Sequence, residues 1–297
     1  MNGRGKALRS VVSSELLAQV GGLGHRARQL AEGLVNGQHR SPHRGASVEF
    51  AQHREYSPGD EMRHLDWKAY ARSDKYLVKQ FEDETNLRCF LLVDASGSMS
   101  YGQPSKLDYA ATLAAAMAYA LLKQGDAVGL LTFGSSMGTY VPPRARPDHF
   151  WNLVSVLERE PVGGTTNLRR PLEHLAEVAG RRALILIFSD AFDEDEQFIS
   201  LARQLRKRRH DVVFHHVLHP DELGFPFRDL TLFEDLETSD RELADPRGMR
   251  EAYLKEMQGF CDGLRSRLRE GDVGYHLLPS DLPAERAMRQ MLSGPGS

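Results

Sequence analysis

From Leu87 onward the chain alternates between two apolar patterns. Short unbroken runs, Cys89-Phe90-Leu91-Leu92-Val93, Ala127-Val128-Gly129-Leu130-Leu131-Thr132-Phe133 and Ala183-Leu184-Ile185-Leu186-Ile187-Phe188, have the length of strands buried on both faces. Between them lie segments of helical pattern: Lys106 to Gln124, Asp148 to Arg159 with Phe150, Leu153, Val154 and Leu157 on one face, and Leu168 to Ala179, ended by Gly180. The alternation continues with a strand from Asp211 to Leu218, an added extended segment between Phe225 and Leu236, and a long helix from Pro246 stopped by Gly271. A strand from Val273 to Leu278 and a helix from Leu282 to Leu292 close the chain. This order predicts an α/β fold: a doubly wound, mostly parallel sheet with helices on both faces.

The N-terminal part has another texture. Val12, Leu16, Leu17, Val20, Leu23, Leu30 and Leu34 fall at helical spacing, and Gly21-Gly22-Leu23-Gly24 interrupts them, so two short helices are expected. A polar loop follows, then an extended stretch from Val48 to Tyr56 and a turn at Ser57-Pro58-Gly59-Asp60. Residues 61–72 interleave acids, bases and aromatics, and Lys75 to Phe81 is again extended. The expected organisation is an extension over 1–86, packed on the main domain through Trp67 and other large apolar side chains. The main domain covers 87–292, and 293–297 is a disordered tail.

Composition then narrows the class. Hydrophobic residues make up 41% of the 297 and charged residues 27%, ordinary for a globular chain. A net charge of -3 carries no nucleic-acid signature, and Arg203, Arg206, Lys207, Arg208 and Arg209 sit where a helix dipole favours cations. Cys89 and Cys261 form neither a disulfide framework nor a metal pattern, which fits a reducing compartment. The longest nearly apolar window, Tyr109 to Leu122, is too short to span a bilayer, and no apolar stretch near the N-terminus suits a signal peptide. These features predict a soluble cytoplasmic protein with neither membrane insertion nor a nucleic-acid partner.

The candidate chemistry lies where the first buried strand ends. Asp94-Ala95-Ser96-Gly97-Ser98 places an acid and two hydroxyls at alternate positions in a strand-to-helix loop, the place where open α/β sheets bind ligands. The donors are all oxygen, which suits a hard cation such as Mg2+. One short loop cannot supply six ligands, so two more loops should contribute. Gly163-Gly164-Thr165-Thr166-Asn167 is a glycine-rich turn opening a helix, and Asp190 ends the most apolar strand. Asp94, Ser96, Ser98, one threonine and Asp190 converge if the two strands are neighbours. The competing explanation is that Asp94 and the serines only cap the following helix. Gly134-Ser135-Ser136-Met137-Gly138 matches a hydrolase nucleophile pattern, but Thr139-Tyr140-Val141-Pro142-Pro143 follows it, which predicts a hairpin turn and not a nucleophile elbow. His215 and His216 are adjacent on a strand, so they face opposite ways and cannot share a metal.

The five-part pattern resembles the metal-ion-dependent adhesion site of von Willebrand factor type A (vWA) domains. Asp94, Ser96 and Ser98 match its Asp-x-Ser-x-Ser motif, Asp190 its second aspartate, and Thr165 best matches its threonine, with Thr166 the alternative. A second stretch adds to this: Arg54-Glu55-Tyr56-Ser57-Pro58-Gly59-Asp60, Arg63-His64-Leu65-Asp66-Trp67, Ala71-Arg72 and Phe81-Glu82. It resembles the signature of the bacterial family called Domain of Unknown Function 58, in which that signature directly precedes a vWA domain. The resemblance implies strand order 3-2-1-4-5-6 with an antiparallel strand near 139–141. It implies a site in which hydroxyls hold Mg2+ (or Mn2+ or Ca2+) directly and the aspartates act largely through water. An open position then takes an acidic side chain from a partner protein. Members are commonly encoded beside MoxR-type AAA+ ATPases, so the expected role is a non-enzymatic, metal-dependent protein–protein interaction module. It would be an adaptor or assembly factor whose partner is such an ATPase or its client. The rival is a metal-dependent hydrolase or phosphatase. A haloacid-dehalogenase-type enzyme would need a second aspartate where Ser96 stands, and the three loops contain no histidine to serve as a base.

Overall fold

The structure, a computed structural model, describes residues 22–35, 48–55, 77–83, 87–180, 182–192, 196–238 and 240–293. The chain divides into two compact units, Ser41–Asn86 and the remainder. In the smaller unit, β1 (Val48–Glu55) and β2 (Leu77–Asp83) pair antiparallel, with a register shift between Phe50 and Gln52. Both strands fall where extended segments were expected. The turn at 57–60, the aromatic segment at 61–72 with Trp67, and positions 294–297 lie outside the described residues.

The larger unit is built on six strands: β3 (Arg88–Asp94), β4 (Ala127–Phe133), β5 (Met137–Arg144), β6 (Ala183–Ser189), β7 (Asp211–Leu218) and, after the β8 and β9 hairpin described below, β10 (Gly274–Pro279). Their order in the sheet is β10-β7-β6-β3-β4-β5. All neighbours are parallel except β4 and β5. Counted within this sheet alone, that is the 3-2-1-4-5-6 order with one antiparallel strand. The apolar runs are continuous because both faces are covered: β3 and β6 are buried almost end to end.

Period-two alternation sends the two sets of side chains to different layers. Leu91, Val93, Leu130, Leu186, Phe188 and Val217 face α1 (Leu23–Val35), α2 (Lys106–Lys123), α3 (His149–Arg159) and the C-terminal α8 (Ala284–Leu292). Phe90, Leu92, Leu131, Ile185, Ile187 and Phe214 face α4 (Arg169–Val178), α5 (Glu196–Lys207) and α7 (Pro246–Glu270). Helix α2 is rich in alanine, which lets it lie close to the sheet. Ser105 and Asp108 form a reciprocal capping box at its start.

Two local expectations are corrected. Of the two helices expected over 10–35, the first lies outside the described residues. The second, α1, starts at Leu23 and takes in Gly24, which was read as part of the interruption. A Cβ there would meet the Trp151 ring at 2.4 Å, so glycine serves close helix packing at this position. The single extended segment expected within 225–236 is part of a hairpin, β8 (Thr231–Glu234) with β9 (Arg241–Ala244), preceded by the short α6 (Pro220–Gly224). Phe225, Phe227, Phe233 and Tyr253 cluster their rings beneath it. Arg206 and Lys207 fall in the last turn of α5, where the helix dipole favours cations, and three residues of the basic cluster also make tertiary contacts. Arg203 donates to the Arg267 carbonyl and Glu270, Arg206 pairs with Asp211 and Asp272, and Arg208 donates to the Ala176 carbonyl.

Candidate metal centre

The connections reverse direction between β3 and β6, and the carboxyl ends of these adjacent strands deliver Asp94 and Asp190 to one place. Both aspartates are fully buried. Asp94 accepts hydrogen bonds from the Ser96 amide at 2.9 Å and from the Ser189 hydroxyl at 2.5 Å, so both its oxygens are oriented. Ser189 in turn accepts from the Ala191 amide at 3.0 Å. Ala191 is held at φ +53°, a left-handed conformation that costs an L-residue about 1–2 kcal/mol. The tight turn after Asp190 is thus fastened to the same hydroxyl that fixes Asp94.

The Asp94 loop does not cap α2, whose free amides are met by Ser105 and Asp108. Instead it is clasped from both sides: Ala95 donates to the Phe133 carbonyl at 2.6 Å, Gly97 to the Gly164 carbonyl at 2.8 Å, and Gly163 to the Ala95 carbonyl at 3.0 Å. Ser96 is buried, and its hydroxyl lies 3.1 Å from that of Ser98. Gly163 and Gly164 have φ of +154° and +73°, which glycine alone adopts cheaply. Their turn separates the two threonines. Thr165 is exposed, whereas Thr166 is buried with its hydroxyl donating to Glu237 at 3.2 Å. Gly134-Ser135-Ser136 is the turn between antiparallel β4 and β5, as its sequence predicts.

Three acidic or basic side chains at this centre have no counterpart in the sequence pattern. The Lys106 ammonium, at the start of α2 and fully buried, donates to Asp190 at 2.7 Å and to Glu222 of α6 at 2.5 Å, 4.8 Å above the Phe192 ring. Glu222 also accepts from the His219 amide at 2.6 Å. Glu237, in the turn between β8 and β9, accepts from the Thr166 hydroxyl and lies near Ser98. A lone lysine opening an alanine-rich apolar helix is a faint signal that could have been read; nothing near Glu222 or Glu237 marks them. His216 lies behind Asp190, one ring nitrogen 2.8 Å from its carbonyl oxygen and the other 2.8 Å from the Tyr275 hydroxyl. His215, on the opposite face as expected, stacks on His276.

The electrostatics test whether a cation fits. Burial first, and the Asp190 charge second, push the Asp94 carboxyl up to about 7. Burial also raises Glu222 against the pull of Lys106, and raises Glu237 against hydrogen bonds from Ser98 and Thr166. Negative charge is therefore crowded into a desolvated place where the Lys106 ammonium is shared between two carboxylates. Among the described residues, no three His, Cys, Asp or Glu side chains converge as ligands. The donors are two aspartates supplemented by hydroxyls, and that all-oxygen set fits Mg2+ or Mn2+ better than zinc.

The family model described as "Protein of unknown function DUF58" matches residues 52–259. Uncharacterized protein Rv1480 of Mycobacterium tuberculosis is 28% identical over 218 residues, 71% of this chain and 68% of that protein. Uncharacterized protein YeaD of Bacillus subtilis is 24% identical over 193 residues, 56% of this chain and 47% of that protein. Among solved structures, the conserved hypothetical protein BatB from Bacteroides thetaiotaomicron aligns with a TM-score of 0.45 and 17% identity, over 70% of this chain and 97% of that one. With the family model spanning residues 52–259, well over half of the chain, the protein belongs to the DUF58 family.

Proposed function

We propose that the protein is a metal-dependent protein–protein interaction module. What supports this reading is that adjacent strands bring buried Asp94 and Asp190 together beside the Ser96 and Ser98 hydroxyls, with the loop that carries Thr166 bonded to the Asp94 loop and the Asp190 charge adding to burial in raising the Asp94 carboxyl. Ser96, Ser98 and Thr166 supply hydroxyl ligands, and Asp94 and Asp190 supply the charge. Thr166 is favoured over Thr165 because its hydroxyl is buried toward Glu237 while Thr165 faces out. A bound Mg2+, Mn2+ or Ca2+ supplies a Lewis-acidic position at which a carboxylate of a partner can be held. Asp94 is pre-aimed by Ser96 and Ser189, so little ordering is needed when the ion enters.

The partner class follows from the family resemblance: a MoxR-type AAA+ ATPase or its client, with this chain as adaptor or assembly factor. The test is affinity capture from native lysate, with Mg2+ and with chelator, using wild type and Asp94→Ala. Retention of such an ATPase only by wild type with Mg2+ is the expected result. Equal recovery from both proteins in both buffers would remove the metal from the mechanism. The hydrolase alternative gains no support from His216, whose ring nitrogens are both engaged.

A further inference from the structure

The turn that joins β8 to β9 is pressed onto the Asp94 loop. A Cβ on Gly97 would lie 2.1 Å from the Leu236 carbonyl oxygen, so the two backbones touch. Asp235 closes this turn by accepting from the amides of Glu237 at 2.7 Å and Thr238 at 3.0 Å, which fixes the direction in which Glu237 leaves the backbone. Its carboxylate accepts from the Thr166 hydroxyl at 3.2 Å, and the Ser98 side chain lies close enough to favour its charged form against burial. These are two of the hydroxyls that the proposed site uses as ligands, and they come from different loops. Among the described residues, Glu237 makes no ion pair with a lysine or arginine.

We infer that Glu237 is an acidic ligand supplied by the chain itself, set where the carboxylate of a partner would enter. The inference rests on the metal reading and goes beyond it, because it assigns the open position an occupant from within the molecule. A partner's acidic side chain then binds by displacing Glu237, so the β8–β9 turn sets the threshold for capture. Glu237 is bonded to Thr166 and lies beside Ser98, so it also fixes the Thr166 hydroxyl before an ion arrives.

The test uses the full chain and Mn2+ alone, with affinity measured by titration calorimetry and bound water by water-proton relaxation of the Mn2+ complex. Wild type, Glu237→Gln, Leu236→Ala and Asp94→Ala are compared. Glu237→Gln is expected to weaken Mn2+ about tenfold and to raise the relaxivity, because water replaces the carboxylate. Leu236→Ala disturbs the same turn without touching the carboxylate and is expected to match wild type in both. Glu237→Gln matching wild type, or Leu236→Ala losing as much as Glu237→Gln, overturns the inference while the metal site stands. Wild type binding Mn2+ no better than Asp94→Ala removes the metal reading and the inference with it.

Discussion

Asp94 and Asp190 end adjacent strands, and neither is exposed to water. With no cation present, their charges oppose each other in a place that solvates neither well, and the raised Asp94 carboxyl reports that cost. Asp94→Asn removes one charge and keeps the shape. In chelator, its melting temperature is expected to equal or exceed that of wild type. With Mg2+ at a hundred times its dissociation constant, wild type should gain about 2.7 kcal/mol, or about 5–10 °C, and the variant nothing. Differential scanning fluorimetry in the two buffers checks both arms. Lys106 has the opposite character: its ammonium is what Asp190 and Glu222 share. Lys106→Met strands buried carboxylates, and a loss of about 3–5 kcal/mol is expected in denaturant titrations, the usual result of breaking a buried pair from one side. A midpoint unchanged from wild type would show that Asp190 and Glu222 are neutral without it.

At the scale of elements, the site is three loops and one hairpin fastened by backbone contacts. Gly97 has φ -57° and ψ -42°, which any residue adopts, so Gly97→Ala tests the contact with Leu236 and nothing else. The hairpin must withdraw, at a cost on the order of 1–3 kcal/mol. Hydrogen exchange is expected to rise at the Glu237 and Thr238 amides, which Asp235 now holds, while the amides of β3 stay protected. Unchanged exchange in the turn would mean that the hairpin does not rest on the loop. The strands, helices and the turn at Gly134–Gly138 were legible in sequence because each depends on periodicity or turn chemistry within a short window. The β8–β9 hairpin was only half legible. β9 is Arg241-Glu242-Leu243-Ala244, a short and largely exposed strand without β-branched residues, and it is ordered by pairing with β8.

Across the whole molecule, pH enters through the histidines sealed in the core. Burial, together with the neighbouring His276, holds His215 well below its ordinary value, and burial lowers His216 to about 4. Each is neutral in the folded state and takes a proton on unfolding below pH 6.5. Their contributions are therefore fully present above about 6.5 and decline as pH falls, by about 1.4 kcal/mol per unit for each. Asp94, with its raised value, contributes with the opposite sign from about 7 downward, so a variant comparison is needed to isolate a histidine. Among the described residues, neither ring nitrogen of His215 has a hydrogen-bond partner, so His215→Leu removes no bond they make. From pH 6.5 to 5, wild type should lose about 2 kcal/mol more than this variant. Parallel pH dependence of the two in guanidinium titrations would show that His215 does not titrate between the folded and unfolded states.

Sequence by itself determined the α/β order and the buried strands, because those depend on local pattern, and it nominated Asp94, Ser96, Ser98 and Asp190 as a site from motif spacing within the vWA resemblance. It gave Thr165 as the better match and Thr166 as the alternative, since adjacent hydroxyls have the same chemistry until a backbone turns one inward. The left-handed turn at Gly163 and Gly164 does that for Thr166. Lys106 meets Asp190 across 84 residues, and Glu237 meets Thr166 across 71. A charged side chain on a helix or turn reads as a solvated one until the fold covers it. Which charges the site keeps dry, and that one of its acids comes from a distant hairpin, only the tertiary structure decided.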